Sequence, residues 1–444
     1  RRPIRRPDPA RVYWLALSTP PNTFGDAPMA TLEEIMTIRP YDRGRDEKAV
    51  HRIWHEVGWI EKDKTEAMDL LLGCSRPMVA EHDGAAECLV LATSAQVRHL
   101  NTDLPATAIT GVTTSLVARR QGLAGRTLAV VLAHEAQAGA ALAGLGIFDQ
   151  GYYDRLGFGT GSYEPYIQFD PSNLNVSIPA RPPRRLEIAD WEALHASRLT
   201  RWRGHGAWTL LPADLTKSQA LETENGIGLG FRDGPEGALS HWLWLGTSSR
   251  EHGPYGVHAL VFRDGHDLLE LLGVLKSLAD QIYRIDMTEP FCLQIQDLLS
   301  EPFANRQRTQ NGKMAQAMRA AAWWQIRILD LPTCVQALHG RGPAVRCNLT
   351  LTDPVARYLD QAAEWRGLTG EYTLCVAEES SIQPEHTPGL PELRASVGAF
   401  SRLWLGVRSA TSLAISDSLD GEPQLLAALD RTLALPTPRV DWGF

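Results

Sequence analysis

Among the residues able to do chemistry, the turn Arg119-Arg120-Gln121-Gly122-Leu123-Ala124 has the plainest physical reading. A helix starting at its glycine aims unpaired backbone N–H groups and a partial positive charge at whatever lies above it. Flanking arginines can add charge-assisted bonds to phosphate. A pyrophosphate suits that turn, although solvated arginines ahead of an ordinary helix would leave the same letters. His51 and His55 are spaced i, i+4, which could bring two imidazoles to one metal, but no HExxH pattern accompanies them and a surface pair is the better reading. The Gly-Ile-Gly-Leu-Gly run at 226–230 lies within a strand-like stretch instead of opening a helix, so sheet packing explains it better than a dinucleotide loop. No G-x-S-x-G elbow anchors serine hydrolase chemistry. Of 13 tryptophans, Trp54, Trp59, Trp202, Trp208, Trp242 and Trp244 could line a pocket for an organic cation, with the core as the commoner place for them.

The elements around these residues follow from periodicity. Residues 38–60 read as an extended start and a helix with apolar positions at Ala49, Ile53, Trp54 and Val57, followed by a helix near 65–72. Two β-like runs hinge at Asp83-Gly84, a hairpin signal. The strand AITGVTTSLVA leads through the basic turn into a helix whose apolar face is Leu123, Leu128, Val131 and Leu132. A buried strand, LAGLGIFD, and a short helix ending at Gly157 come next. RPPRR at 181–185 reads as a linker. Beyond it lie a helix, hairpin-like strands and the helix LLELLGVLKSLADQIY. From about residue 290 helices broken by strands are expected, ending in PQLLAALDRTLA and the tail LPTPRVDWGF.

Composition narrows the class. The 444 residues suggest several domains, and 44% hydrophobic with 22% charged residues is ordinary for a globular protein. A formal charge of −8 makes nucleic acid and anionic membranes poor partners and a cationic small molecule a better one. The six cysteines, Cys74, Cys88, Cys292, Cys334, Cys347 and Cys375, form no CxxC pair and are expected to be buried thiols. With no long apolar run and no signal-like segment, a soluble, cytoplasmic protein is expected. Residues 1–28 carry five arginines among six prolines and read as an extension preceding the folded part.

The ordered set GVTTSLVARRQGL (111–123), GIFDQGYYDRLGFG (146–159) and a terminal Phe resembles the Eis-type (enhanced intracellular survival) acetyltransferases of the GNAT family. The turn at 119–124 is similar to the GNAT pyrophosphate loop. The resemblance implies an α+β / α/β architecture of two GNAT-like mixed-sheet regions followed by a sterol-carrier-protein-like α+β domain. Expected boundaries are a basic Pro-rich extension at 1–37, an acetyl-CoA-binding GNAT domain at 38–180, a second GNAT-like domain at 181–290 and the sterol-carrier-like domain at 291–444. It further implies acetyl-CoA as acyl donor with no metal, an amine acceptor on a small cationic molecule or a lysine, and assembly as a hexamer.

By the same resemblance Tyr153 is the general acid, the Phe444 carboxylate orients and relays a proton, and Val112, Thr113 and Thr114 meet the thioester and pantetheine. Arg119, Arg120, Gln121, Gly122, Leu123 and Ala124 hold the pyrophosphate. The chemistry is consistent with ordinary pKa values. An aliphatic amine near 10.4 must lose a proton before attack, an α-carboxylate near 3.3–3.7 is a weak base, and a tyrosine near 10 stays protonated at pH 7. Two positions depart from the family. Phe148 stands where a small residue is common, which would narrow or reshape the thioester pocket, and Gly443 replaces an often acidic penultimate residue, with Asp441 nearby. The other reading is a non-catalytic acyl-CoA or lipid carrier.

Overall fold

The computed structural model describes residues 37–60, 65–149, 151–178, 181–301 and 317–443. The extension expected over 1–37 lies outside these residues apart from Thr37, and so does Phe444. The chain begins with β1 (Ile38–Pro40), α1 (Arg43–Glu56) and α2 (Glu66–Cys74). Asp42 caps α1 by accepting the Arg45 N–H at 3.0 Å, and Val50, Ile53 and Trp54 bury along one stripe. A meander of β2 (Arg76–His82), β3 (Ala85–His99) and β4 (Thr102–Thr114) follows. Asp83 (φ 51°) and Gly84 (φ 77°) make the tight turn that their sequence predicted. Then α3 (Leu123–Gln137) buries Leu123, Leu128, Val131 and Leu132 and returns the chain to β5 (Leu142–Gly146).

Next come β6 (Gly159–Thr160), β7 (Glu164–Phe169), β8 (Arg184–Leu186), α4 (Trp191–Leu199), β9 (Trp208–Leu210) and α5 (Asp214–Glu222). The middle of the chain continues with β10 (Ile227–Phe231), β11 (His241–Gly246), β12 (Tyr255–Val261), α6 (Gly265–Ser277) and β13 (Ile285–Thr288). After it stand β14 (Ala317–Ala321), β15 (Trp324–Ile328), α7 (Leu331–Gln336), β16 (Val345–Thr352), β17 (Gly370–Val376) and β18 (Ser381–Pro384). The last elements are β19 (Glu392–Ser396), α8 (Val397–Trp404), α9 (Ala410–Ser416), β20 (Leu419–Gly421) and α10 (Pro423–Thr432).

Three mixed sheets result, in keeping with the expected α+β class. The first has the order β1-β2-β3-β4-β5-β15-β6 with β9 added on β3, the second β14-β7-β13-β12-β11-β10-β8, and the third β18-β17-β16-β19-β20. Strands travel far to find partners. β15 pairs antiparallel with β5, β7 lies between β13 and β14, and β9 extends β3. One apolar core runs from α1 and α2 through the first sheet into the third sheet and α8, with Trp54, Trp208, Trp324 and Trp404 wholly inside.

Three expectations need correction. Arg184 and Arg185, read as the end of a linker, belong with Leu186 to an edge strand on β10, because an edge position lets two arginines reach water while Leu186 buries. Cys74, Cys292 and Cys375 are only half-buried, whereas Cys88, Cys334 and Cys347 are enclosed. The region after 290 contributes a five-stranded sheet, more strand-rich than the helical pattern suggested. The glycine run does serve packing. Gly228 and Gly230 lie opposite Trp244 and Trp242, and a Cβ at either would come within 2.6 Å of those side chains. No helix among the described residues is long and apolar enough to cross a membrane.

Candidate functional site

The site is set by how two parallel strands separate. β4 and β5 pair in register from Ala106↔Leu142 to Ile109↔Leu145 and then part. β4 continues along β3 to Thr114, while β5 ends at Gly146 with β15 on its other side. A bulge marks the parting. Between Thr110, opposite Leu91, and Thr113, opposite Leu89, β4 holds one residue more than β3, with Gly111 at φ 63°. Such a bulge disrupts the ladder locally and re-aims the strand. Thr113 Oγ1 donates back to the Gly111 carbonyl at 3.2 Å, and Thr114 Oγ1 lies 3.4 Å from Cys88 Sγ.

The basic turn stands at the open end of this wedge. Gly122 is the N-cap of α3 at φ 79°, a left-handed conformation that glycine adopts without a Cβ penalty. The first helical bond runs from the Arg126 N–H to the Gly122 carbonyl at 3.1 Å, so the N–H groups of Leu123, Ala124 and Gly125 have no acceptor within the helix. No side chain caps them. Arg119 and Arg120 are exposed and, among the described residues, make no hydrogen bond or ion pair, while Gln121 Nε2 reaches the Val117 carbonyl at 3.4 Å. Free N–H groups, a helix dipole and two uncommitted guanidinium groups make a site for a polyanion.

Tyr153 opens a short turn, Tyr153–Leu156, closed by Gly157 at φ 80°. Its ring is buried against Phe158 and lies edge-on to Tyr152, centroids 5.0 Å apart, within the cluster that holds Ile109, Leu128 and Leu145. Its hydroxyl has no hydrogen-bond partner among the described residues. Burial, then the neighbouring Tyr152 and Asp149, push this phenol well above its ordinary pKa, and burial takes Tyr152 up to about 12. Tyr153 is therefore a firm proton holder at neutral pH. Phe148 is 72% exposed, so its ring takes no core space and stands free just past β5.

Residues from far along the chain hold this turn, and sequence reasoning missed them. Arg327 on β15 is wholly buried. It donates to the Leu156 carbonyl and pairs with Asp353 at 2.6 Å, and Asp353 also accepts the N–H groups of Val355 and Leu368. Gln325 Nε2 donates to Asp154 at 2.7 Å. Arg357 Nη2 reaches the Arg155 carbonyl at 3.3 Å, and a Cβ on Gly125 would sit 3.4 Å from the Tyr358 ring. The one signal in the letters was a charge inside the apolar run WWQIRILDL, where only a paired arginine is tolerable.

The C-terminal tail closes the other side. Ser162 Oγ donates to the Pro438 carbonyl at 2.5 Å, the Arg439 N–H to His205 at 2.9 Å, and the Val440 N–H to Glu164 Oε1 at 3.0 Å. Trp208 N–H donates to the Val440 carbonyl at 2.9 Å, and Arg201 Nε to Asp441 at 2.8 Å. Burial raises the Glu164 carboxyl to about 7, partly offset by the Val440 N–H and Arg439. Gly443 ends the described tail beside Trp323, whose carbonyl accepts the Ile147 N–H just beyond β5. The tail thus arrives at the end of β5 where the wedge opens.

Other expectations resolve separately. His51 Nε2 contacts Asp69 at 2.7 Å and His55 is exposed, so the two rings do not share a ligand site. Among the described residues, Asp233, His241 and Glu270 bring metal-type ligands together, but the Arg181 guanidinium already bridges Asp233 at 2.6 Å and Glu270 at 2.5 Å. That cluster is an ion network joining the Arg181 segment to α6 and β11. Trp208, Trp242 and Trp244 are core residues, whereas Trp59 and Trp202 are partly open to solvent.

Comparison with known proteins bears on the fold that carries this geometry. Residues 38–161 match the acetyltransferase (GNAT) domain family and residues 335–440 the sterol carrier protein domain family. No curated protein matches the chain. Among solved structures, the Enterococcus faecalis V583 protein described as a probable N-acyltransferase aligns with a TM-score of 0.74 at 16% identity. The GCN5-related N-acetyltransferase of Anabaena variabilis ATCC 29413 gives 0.73 at 12%, and Eis1 of Mycobacterium abscessus 0.70 at 17%. Each alignment covers 92% of this chain and 100% of the other, and at these identities the likeness is one of fold. The chain joins a GNAT acetyltransferase domain to a sterol-carrier-type domain within one mixed α+β fold.

Proposed function

We propose that the protein is an Eis-like, acetyl-CoA-dependent N-acetyltransferase acting on a primary amine of a small cationic molecule or a lysine side chain. The observation that carries this reading is the wedge between β4 and β5, at whose open end stand the uncapped N-terminus of α3 and Arg119 and Arg120, which make no hydrogen bond or ion pair among the described residues. In this reading the CoA pyrophosphate lies on the residue 122–125 N–H groups and the arginines. The pantetheine follows the bulged strand through Val112, Thr113 and Thr114. The ammonium first gives one proton toward the tail, and the free amine nitrogen then attacks the thioester carbonyl carbon, forming C–N while C–S breaks. The proton on Tyr153 goes to the departing sulfur, and the second proton leaving the nitrogen restores Tyr153 through solvent. Phe444 enters only through the resemblance, as the carboxylate that relays that proton, and a hexameric assembly enters the same way.

The carrier reading has less support. The cavity bounded by Leu403, Arg408, Asp430 and Leu435 in the sterol-carrier-type region holds about 180 Å³ and has charged walls. Pockets for drug-sized ligands run to roughly 300–1,000 Å³ and are mostly apolar. The test is thiol release from acetyl-CoA against aminoglycosides, polyamines, lysine peptides and arylamines, beside Tyr153→Phe. Amine-dependent release that falls about 10²- to 10⁴-fold in the variant, with acetyl-CoA binding retained, is expected for loss of a general acid. Absence of CoA binding would overturn the proposal, and unchanged turnover in Tyr153→Phe would remove that residue's role.

A further inference from the structure

The tail reaches the wedge through one side chain of the middle region. Gln219, on α5, places its amide between two consecutive tail residues. Its Oε1 accepts the Trp442 indole N–H at 3.0 Å and its Nε2 donates to the Gly443 carbonyl at 3.0 Å. A second donor, Arg198 Nη1, reaches the same Oε1 at 2.8 Å. Two donors can converge only on the oxygen, so the orientation of the amide follows from its surroundings, and its N–H is left facing Gly443. Trp442 is in turn locked. Its ring is buried, the Arg198 guanidinium lies 3.5 Å over it, and Arg201, which stacks more distantly, holds Asp441. Gln219 is thus the joint through which a buried cluster of the middle region fixes the last described peptide, Gly443, against Trp323 at the open end of the wedge.

We infer that Gln219 is a positioning residue for acyl transfer, holding Gly443 beside the thioester-binding wedge while touching neither donor nor acceptor itself. The inference rests on the acetyltransferase reading above, in which the tail takes part in the proton relay. A small displacement of a reacting group costs far more in rate than in binding, because the barrier depends on alignment. The bonds of Gln219 run to Arg198, Trp442, Gly443 and Thr223 and none to Arg119–Ala124, so their loss leaves the pyrophosphate turn intact. Glutamine suits the place because it offers one acceptor and one donor at the same reach. Methionine has its volume without either, and glutamate would set an acceptor against the Gly443 carbonyl.

The experiment measures kcat and KM for the full chain with acetyl-CoA and, as acceptor probes, neomycin and spermine, in Gln219→Met, Trp442→Phe, the double variant and Tyr153→Phe. Gln219→Met should lower kcat at least tenfold and leave KM for acetyl-CoA within twofold. Trp442→Phe removes the indole N–H together with the five-membered ring, keeps an aromatic face under Arg198 and leaves the Gln219 bond to Gly443, and should lower kcat less. The double variant should be no slower than Gln219→Met alone, because both changes break the same joint. A normal kcat in folded Gln219→Met, additive losses in the double variant, or a loss appearing wholly in KM for acetyl-CoA would overturn the positioning role. Should Gln219→Met fail to fold, an unchanged kcat in Trp442→Phe overturns it instead. Loss of turnover in Tyr153→Phe beside full activity in Gln219→Met rejects this inference alone, while no turnover by the parent chain with either probe rejects the acetyltransferase reading with it.

Discussion

Arg119 and Arg120 carry charge that no described residue pairs with. A surface arginine without a partner contributes little to stability, so its removal should be felt in binding and not in folding. Replacing both with alanine should weaken acetyl-CoA binding by about tenfold or more and leave the melting temperature unchanged, because each lost charge-assisted bond to phosphate lies outside the core. Calorimetric titration at low and high salt checks this. The gap between parent and variant should shrink as salt screens the exposed charges, since the Debye length is about 10 Å at 0.1 M. These residues were legible because their meaning is local, with glycine, arginine and helix start all falling within six letters. Gln219, Arg327 and Asp353 were not legible, because what each does depends on partners brought from other elements.

At the scale of elements, the turn bearing Tyr153 hangs on a buried ion pair between β15 and the segment after β16. Arg327 and Asp353 have side chains at 0% exposure, and neither can be removed without leaving its partner charged and dry. Asp353→Ala should destabilise the protein by about 3–5 kcal/mol, which is the cost of breaking a buried pair one-sidedly, read as a lower denaturation midpoint. A loss within the range of an exposed pair would show that the geometry is not realised in solution. The helices α1 and α3 were readable because a one-sided apolar stripe repeats every 3.6 residues. Edge strand β8 and the short strands of the third sheet were not, since three to five residues carry too little periodicity.

The whole molecule meets at a histidine junction. His99 ends β3, His205 belongs to the loop before β9, and both lie against Trp404 and Leu405 from α8 and its end. His205 accepts the Leu100 N–H at Nδ1 (3.0 Å) and donates to the Leu405 carbonyl from Nε2 (2.9 Å), an arrangement that only the neutral ring satisfies. Burial, with His205 adding repulsion, lowers His99 to about 3, and burial lowers His205 as well. Both groups favour the neutral form when folded. They cost nothing above the ordinary histidine pKa near 6.5, and below it each withdraws up to about 1.4 kcal/mol per pH unit until its folded pKa is reached. Glu164 has the opposite sign. Raised to about 7, it costs stability above that value and releases the cost as pH falls toward the ordinary carboxylate range. The informative quantity is therefore a difference between variants. His99→Phe keeps a ring against Trp404 and should lose less melting temperature between pH 7.5 and 5 than the parent. Equal losses would remove His99 as a source of acid sensitivity.

By itself the sequence determined the local structure that short-range letters can hold, namely the helix-capping glycine after its arginines, the hairpin at Asp83-Gly84, the apolar stripes and the tyrosine-bearing turn. Those features depend on neighbours within one or two helical turns, where propensity and spacing act directly. Only the tertiary structure decided that β15 completes the first sheet beside β5, that Arg327 and Asp353 brace the Tyr153 turn, and that the tail is threaded past Glu164, Trp208 and Gln219 to the open wedge. Apart from the Arg327–Asp353 pair itself, these are contacts between residues a hundred or more positions apart, and they form because buried polar groups must find partners wherever the packed sheets bring them.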